Sequence, residues 1–359
     1  MKREIYTLEL ITPCLAGGAE PEKQAEIRAP AIRGQLRWWF RVLGGFASLS
    51  PLQVRAQEER IFGSTAGDAG VASPLIVRVR QSVTSKTVKD ADQLGAPMNS
   101  DRGYLLFPLR SNPRRNENKG RGVFDGTLPN FDLELVWRGN PILWDDIKAL
   151  ATVLGHLGSL GFRSRRAMGA LAFRGTPPDL LDALKRFGKS DGVLIRSLPA
   201  ENPNDAITKL ARWIKGWRAH GRTADHPAAQ PPQPPHNPGF AYAKADHAAG
   251  VEVLSQRCGN HPTHRPALGL PILQFFSSRG QTVKWEHGPG NREEPKGRFA
   301  SPVLLRPHRD VNAWRALVIF VESRCWDTSR PVYLDGQPRS VSLGLYEAMK
   351  KDPKLSDFP

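Results

Sequence analysis

Three arginines at a four-residue spacing make residues 27–43, IRAPAIRGQLRWWFRVL, the segment best suited to bind a ligand. Arg33, Arg37 and Arg41 fall on one face if this segment is helical, because residues four apart are neighbours on a helix surface. No carboxylate lies between Arg28 and Arg41 to neutralise the row. Guanidinium groups bind phosphates through paired N–H donors. The row therefore predicts a phosphate-bearing partner, and the alternative is a solvated basic face.

A second candidate is the turn GFRSRRAMG at residues 161–169. Its end glycines, Gly161 and Gly169, permit close approach of another backbone. Three arginines and a serine hydroxyl between them suit phosphate or ribose contacts. The turn is not a P-loop, because no Gly-Lys-Ser/Thr follows. A helix C-cap with solvated arginines is the alternative.

The charge balance agrees with a polyanionic partner. The 359 residues include 51 Lys and Arg against 35 Asp and Glu, which gives a formal charge of +16. Such an excess attracts polyanions without specifying which one. Three distant cysteines make a disulfide framework unexpected. The charged N-terminus and the lack of an apolar run of about 20 residues argue against a signal peptide and a membrane span. We therefore expect a soluble cytoplasmic protein.

The elements that position these residues follow one plan over the first half. Alternation predicts strands at 3–12, 75–80, 131–138 and 171–174. A helix is expected from Ala31–Ile32, after Pro30, to Gly44–Gly45, with Leu36, Trp39 and Leu43 in a core stripe, and a second helix at 142–160. Residues 82–122 are interpreted as a long loop. The order strand, helix, strand, strand, helix, strand is the ferredoxin-like plan.

The second half is less regular. Residues 204–218 have the spacing of an amphipathic helix, and the six prolines of residues 221–239 indicate a linker or exposed loop. The apolar segments LGLPILQFF, RFASPVLLRP and WRALVIFVES predict strands of a second sheet. We expect domains at 1–176 and 177–359, the second a more degenerate ferredoxin-like (RRM-like) copy with a Pro-rich insertion.

Several segments resemble a known family. TLELITPCLAGGAE, EIRAPAIRGQLRWWFRVLGG, GFRSRRAMGAL and the late RFASPVLLRP resemble the RAMP superfamily of CRISPR systems. They are most similar to the subunit that caps the head of the type III-B (Cmr) effector complex. The resemblance covers most of residues 3–175 and, thinly, 265–320. It implies an α+β fold of two ferredoxin-like domains with four-stranded antiparallel sheets, and a non-catalytic RNA-binding subunit without a cofactor.

The resemblance also implies partners and site residues. The partners are the other RAMP subunits and RNA, through the guide RNA 3′ region, the paired target RNA, or both, and no membrane. By position, RNA-binding roles fall on residues of two motifs: Gly17, Gly18, Arg28, Arg33, Arg37 and Arg41, then Gly161, Arg163, Ser164, Arg165, Arg166 and Gly169. The loop has Ala167–Met168 where related loops are commonly richer in glycine. From its place on the helix, Trp38 is a candidate for stacking on an unpaired base, against the alternative of a buried or interface tryptophan.

Other functions remain open at this stage. A RAMP endoribonuclease would need a general base, and His156 is the candidate. Metal-dependent cleavage would need a loop aspartate such as Asp68, Asp90 or Asp101. Cys258, His261 and His264 form C-x2-H-x2-H without an apparent fourth zinc ligand, so we do not predict a metal site. We predict no catalytic residues either. A protein-binding scaffold without its own RNA affinity is the third alternative.

Overall fold

A computed structural model of the chain describes residues 1–47, 50–65, 70–98, 100–189, 192–218, 238–257, 259, 261–288, 297–310 and 313–358. The helices in these ranges are α1 (Ala29–Val42), α2 (Pro51–Phe62), α3 (Asp101–Leu106), α4 (Trp144–Leu157), α5 (Leu180–Leu184), α6 (Pro203–Trp217), α7 (Phe240–Leu254) and α8 (Gly344–Lys350). None of the helices in the described ranges is long and apolar enough to cross a bilayer.

Short strands make up most of the remaining regular structure. In chain order they are β1 (Lys2–Leu10), β2 (Ala25–Ile27), β3 (Leu75–Val79), β4 (Val83–Ser85), β5 (Val88–Lys89), β6 (Arg121–Gly122), β7 (Asn130–Trp137), β8 (Leu171–Phe173), β9 (Val193–Ala200), β10 (Ile272–Phe276), β11 (Gln281–Glu286), β12 (Val303–Arg309), β13 (Trp314–Val321), β14 (Val332–Leu334), β15 (Gln337–Arg339) and β16 (Ser356–Asp357).

The first sheet has the predicted ferredoxin-like topology. Its order is β3-β7-β1-β8, and all three pairings are antiparallel, with Tyr6 opposite Leu133 and Val77 opposite Leu135. Helices α1 and α4 contact each other and the sheet. Alternating apolar residues of the strands face them because successive side chains of a strand point to opposite faces. The expected α+β fold with four-stranded antiparallel sheets is confirmed.

Helix α1 buries the predicted stripe. Leu36, Trp39 and Leu43 are at most 1 % exposed, while the arginine positions are half-buried or exposed. The helix begins at Ala29, two residues earlier than predicted, with Pro30 inside its first turn. Proline is tolerated there because the first N–H groups of a helix have no intrahelical partner.

In the second half, the elements β9, α6, β12, β13, α8 and β16 follow the order strand, helix, strand, strand, helix, strand. Helix α7 with β10 and β11 is inserted before β12, and β14 and β15 are inserted before α8. Strands β12, β13 and β9 are adjacent in that order, which matches β3, β7 and β1 of the first sheet. The element order therefore supports the second, degenerate copy. The segment LGLPILQFF forms β10 in a separate sheet of order β10-β11-β14-β15, so only two of the three predicted apolar strands share a sheet.

Some elements differ from expectation. Residues 82–122, interpreted as a loop, contain three short strands and α3, which starts after the N-cap Ser100. Helices α2 and α7 carry no strong apolar periodicity and were not predicted. Most of the proline-rich segment 221–239 lies outside the described residues.

The chain forms two compact units. The first comprises Met1–Ala211 and Leu304–Ile319, and the second comprises Arg212–Val303 and Phe320–Asp357. The candidate site described below lies in the first compact unit. The division into domains at residue 176 stays a prediction.

Candidate nucleic-acid interface

The arginine row of α1 is paired within the chain. Arg37 donates to Glu58 Oε1 from Nη2 at 2.7 Å and from Nε at 2.8 Å. Arg41 Nε lies 3.4 Å from the other oxygen of Glu58. Glu58 is 6 % exposed, and its carboxylate sits between the two cations because α2 packs beside α1. The prediction of an unneutralised row is therefore wrong at these two positions, and the carboxylate comes from the next helix.

Arg33 and Arg28 have local structural roles as well. Arg33 donates from Nη2 to the carbonyl of Phe62, the last residue of α2. The final carbonyls of a helix lack intrahelical donors, so this contact caps α2. Arg28 is the N-cap residue of α1, and its Nε lies 3.9 Å from Glu26. The side chain of Arg28 makes no capping hydrogen bond to α1. The Nε groups of both arginines are buried without a hydrogen-bond acceptor among the described residues.

A groove of about 980 Å³ runs along the arginine face of α1, between α2 and the edge strand β3. Its charged lining consists of four arginines and two glutamates: Arg33, Arg37, Arg41, Arg55, Glu58 and Glu59. The lining therefore keeps a net positive charge of two after the internal pairs are counted. A cleft lined by one sign of charge concentrates ions of the other sign.

The glycine-rich turn 161–169 is held by backbone contacts. Gly161 and Gly169 have φ values of +81° and +66°. A Cβ on Gly161 would lie 2.6 Å from the carbonyl oxygen of Leu15, and one on Gly169 would overlap the carbonyl of Leu160. Ala167 adopts φ +69°, a left-handed conformation that favours glycine. This explains physically why glycine would suit that position in related loops.

Three motifs that are distant in sequence meet here. The guanidinium of Arg165 lies 5.7 Å from the ring of Trp38, which links the turn to α1. Phe162 donates its N–H to the carbonyl of Leu15 at 2.9 Å, which links the turn to the segment before Gly17 and Gly18. The interface is therefore built from α1, the turn 161–169 and the Gly17–Gly18 bend.

The members of this interface differ in what they offer a ligand. Trp38 packs edge-on against Trp39 at 4.9 Å and carries Arg165 near its ring, so it is not a bare stacking surface. Arg163 points inward and donates from Nε to Leu105 at 2.5 Å. Arg166 forms an isolated parallel β-bridge with Leu305 of β12. Ser164 is half-buried.

Two residues at this interface were missed from the sequence. Phe162 is 39 % exposed, and the guanidinium of Arg121 lies 5.2 Å from its ring. Arg121 lies over this ring as Arg165 lies over that of Trp38, so the exposed part of Phe162 is the surface that a base could contact. The signal was an aromatic next to a turn glycine. Arg121 lies at the end of the segment that was interpreted as a long loop, and it pairs loosely with Glu22 at 3.7 Å.

Packing explains Gly17 but not Gly18. A Cβ on Gly17 would lie 2.6 Å from Pro21 Cβ, whereas one on Gly18 would meet the carboxylate of Glu26, the end of a flexible side chain. The bend therefore needs a small residue at position 17 whether or not a ligand binds.

His156 is poorly placed for catalysis. It lies near the end of α4, and burial lowers the pKa of its imidazole. Its Nε2 is 2.8 Å from the carbonyl of Pro178, and its ring lies 5.7 Å from that of His308. A general base must reach the proton that it abstracts. The Nε2 atom of His156 already contacts the Pro178 carbonyl, and its ring lies beside that of His308.

The candidates for metal binding are not brought together in the described residues. Cys258 and Asp68 lie outside them. His261 is bonded to Glu252, and the backbone N–H of His264 donates to Asp246 at 2.7 Å. Within the described ranges no group of three or more metal-binding side chains occurs. Asp90 caps a turn by accepting from Gln93, and Asp101 opens α3.

Replacing Glu58 by glutamine is expected to lower the free energy of unfolding of the first compact unit by about 1–2 kcal/mol, because two arginines lose a nearly buried counter-charge. Urea unfolding measures this loss. The matched control is Glu59→Gln in the same groove, whose 3.2 Å pair with Arg55 is exposed and should contribute less than about 0.5 kcal/mol. Equal losses in the two variants would contradict a structural role for the Glu58 pair.

Comparison with known proteins shows what the part of the chain that carries this interface is similar to. Residues 7–172 match the family model of the RAMP superfamily. Two curated relatives from Pyrococcus furiosus are similar: CRISPR system Cmr subunit Cmr1-2, 26% identical over 186 residues (48% of this chain, 95% of the relative), and Cmr1-1, 28% identical over 186 residues (50% of each).

A solved structure agrees with this match. The apo form of Cmr1 from Pyrococcus furiosus superposes with a TM-score of 0.54 at 17% identity, over 99% of this chain and 98% of the other. At that identity the likeness shows the fold. The match to the RAMP superfamily covers residues 7–172, a little under half of the chain, and over that segment the chain is similar to this family.

Proposed function

We propose that the chain is a non-catalytic RNA-binding subunit of a type III-B CRISPR effector complex, similar to Cmr1. It caps the end of the ribonucleoprotein filament and contacts the guide RNA 3′ region, the paired target RNA, or both. The observation that carries the proposal is the meeting of the arginine helix and the glycine-rich turn at Trp38 and Arg165. Both curated relatives are named as Cmr subunits, which supports the proposal that the chain is part of such a complex.

The chemistry of the interface fits a phosphodiester chain better than a small ligand. Guanidinium groups in a groove contact phosphates without reading sequence. The groove also has a carboxylate, Glu58, which lowers the local positive charge and leaves exposed parts of Arg37 and Arg41 to bind phosphates. Affinity of this kind comes from counterion release, and therefore falls as salt rises.

The surroundings of His156 do not suit a general base, which supports a binding role. His156 has its Nε2 engaged by Pro178 and its pKa lowered by burial. An RNA strand in the groove lies against α1 and β3, whereas His156 sits at the end of α4. Cleavage by this protein would therefore need a general base other than His156.

The test is a gel-shift of the purified chain with labelled single-stranded RNA across a salt series, with the same lanes examined for cleavage. Arg37→Ala combined with Arg165→Ala is expected to weaken binding and to reduce the slope of log affinity against log salt by about 1.4, since each phosphate contact to a single strand contributes about 0.7. The control is Lys185→Ala, an exposed cation paired with Asp182 on α5, which should leave affinity unchanged.

Two outcomes would overturn parts of this proposal. Cleaved RNA would overturn the non-catalytic role. Lack of binding at low salt would overturn autonomous RNA affinity and favour the scaffold alternative, for which the internal neutralisation of Arg37 and Arg41 by Glu58 is the supporting observation. That alternative predicts that neighbouring subunits bind the chain when no RNA is present.

A further inference from the structure

Gly34 lies at the centre of the exposed face of α1. At about 100° per residue, Arg37, Arg41, Gly34 and Trp38 follow one another around the helix in that order. Gly34 therefore separates the arginine side, which lines the groove, from the tryptophan side, which meets Arg165 of the glycine-rich turn. A strand that passes from one motif to the other crosses the helix face on which Gly34 lies.

Packing within the chain does not explain a glycine at this position. A Cβ added to Gly34 would meet no atom within 4 Å, and the residue is exposed. Glycine in a helix interior weakens the helix relative to alanine. Gly155 in α4 makes the contrast clear, because a Cβ there would overlap the ring of Phe173. Gly155 is needed by the fold, whereas Gly34 weakens α1 without a compensating contact in the described residues.

We propose that Gly34 is the crossing point at which single-stranded RNA passes over α1, from the groove to the glycine-rich turn. This inference rests on the proposed function and specifies the path of the strand within it. The bare backbone at Gly34 lets a ribose–phosphate segment lie against the helix, with Arg37 and Arg41 on one side and Trp38 with Arg165 on the other. A side chain at this position would hold the strand away from the cations.

The occupant is a nucleic-acid strand rather than an apolar partner because the groove has net positive charge. Its lining carries four arginines against two glutamates. Positive grooves that track a backbone are the common device of proteins that bind single strands. The absence of a Cβ at Gly34 adds a place where the backbone can approach closely.

The experiment is a size series at residue 34, with affinity for labelled single-stranded RNA and thermal melting measured on the full chain. Gly34→Ala is expected to weaken RNA binding about threefold and Gly34→Leu about tenfold or more, because the added side chain displaces the strand. The melting temperature should stay the same or rise, because alanine and leucine favour the helix. If Gly34 were required only by the fold, both substitutions would instead lower the melting temperature.

The matched control adds the same bulk outside the groove. Ala56→Leu lies on the exposed face of α2 and does not line the groove, so RNA affinity should remain within about twofold of the unchanged chain. Equal affinities of Gly34→Leu and Ala56→Leu would overturn the crossing point and leave the proposed function standing. An unchanged chain that binds no RNA would overturn both. If poly-glutamate displaces RNA and this displacement differs between the unchanged chain and the Gly34 variants, the site would be assigned to an acidic protein. That result would overturn the RNA path.

Discussion

Lowering the pH from 7 to 5 is expected to weaken the first compact unit by about 2 kcal/mol through a single buried imidazole, that of His308. The side chain is 4 % exposed on β12. Burial, together with the charge of Arg306, lowers the pKa of His308 to about 2. The imidazole is therefore neutral in the folded chain at every pH near neutrality.

The direction follows from proton binding. Unfolding returns the pKa of His308 to about 6.5, so between about pH 6.5 and 2 the unfolded chain binds one more proton than the folded chain. Stability is complete above pH 6.5 and falls as the pH drops through that window, by about 1.4 kcal/mol per unit once the unfolded imidazole is charged. His156, whose pKa is also lowered by burial, adds a loss of the same sign.

The geometry explains why a proton is not tolerated. Arg306 donates from Nη1 to Nδ1 of His308 at 3.2 Å, so that nitrogen must accept and stay unprotonated. Arg306 itself is 1 % exposed, and it donates to the carbonyls of Gly155 and Gly158 at the end of α4. Burial lowers the pKa of Arg306 to about 9, which leaves it charged at pH 7. A protonated His308 would face this cation and lose its hydrogen bond.

Urea unfolding at pH 5, 6, 7 and 8, with hydrogen exchange of the α4 and β12 peptides, measures the loss. In His308→Gln, which cannot gain the proton, most of the change between pH 7 and pH 5 should disappear. His261→Gln is the matched control because it removes an imidazole that is 56% exposed. The measurements between pH 5 and pH 8 stay in the upper part of this window, above the ordinary pKa of a free carboxyl group, about 4. A His308→Gln variant with the same pH dependence as the unchanged chain would contradict the assignment.

The first sheet could be predicted because its signal is local. Phe131, Leu133 and Leu135 alternate with polar residues, and all three are buried. The stripe of α1 follows from the same kind of pattern at helical spacing. The order of elements then restricts the topology to a few choices, and the ferredoxin-like plan is among them.

The state of the arginine row could not be predicted in the same way. Glu58 is 21 residues beyond Arg37, on a helix whose sequence, PLQVRAQEERIF, has only Ile61 and Phe62 as buried apolar residues. Weak periodicity hid α2 and therefore its carboxylate. Tertiary packing decides which distant charges meet, and a local pattern carries no information about it.

Arg306 illustrates a second kind of limit. The segment RFASPVLLRP was interpreted as a strand, and β12 confirms this, but an arginine in a strand is expected at the surface. Its burial depends on the carbonyls of Gly155 and Gly158, nearly 150 residues earlier. The Gly155 carbonyl lies in the last turn of α4, where carbonyls lack intrahelical donors, and the Gly158 carbonyl also accepts from the N–H of Leu171. The need for a buried donor arises only once α4 and β12 are adjacent.

Replacing Gly169 by alanine is expected to destabilise the first compact unit by about 3 kcal/mol or more. Gly169 has φ +66°, a conformation that costs an L-residue about 1–2 kcal/mol. The new Cβ would also overlap the carbonyl of Leu160. Backbone on both sides prevents relief, since Gly169 donates to Pro13 at 2.8 Å and accepts from Leu160 at 2.8 Å. The overlap therefore adds to the conformational cost, as overpacking does.

Gly175→Ala separates these two causes. Gly175 has φ +94°, but a Cβ there would meet no atom within 4 Å. Its alanine variant should lose only the conformational cost of about 1–2 kcal/mol. Urea unfolding of both variants in parallel gives the difference, which isolates the close approach of the Leu160 carbonyl. Equal losses would mean that the turn can move away from Leu160, and that the backbone contacts at Pro13 and Leu160 do not fix the loop that presents Arg165.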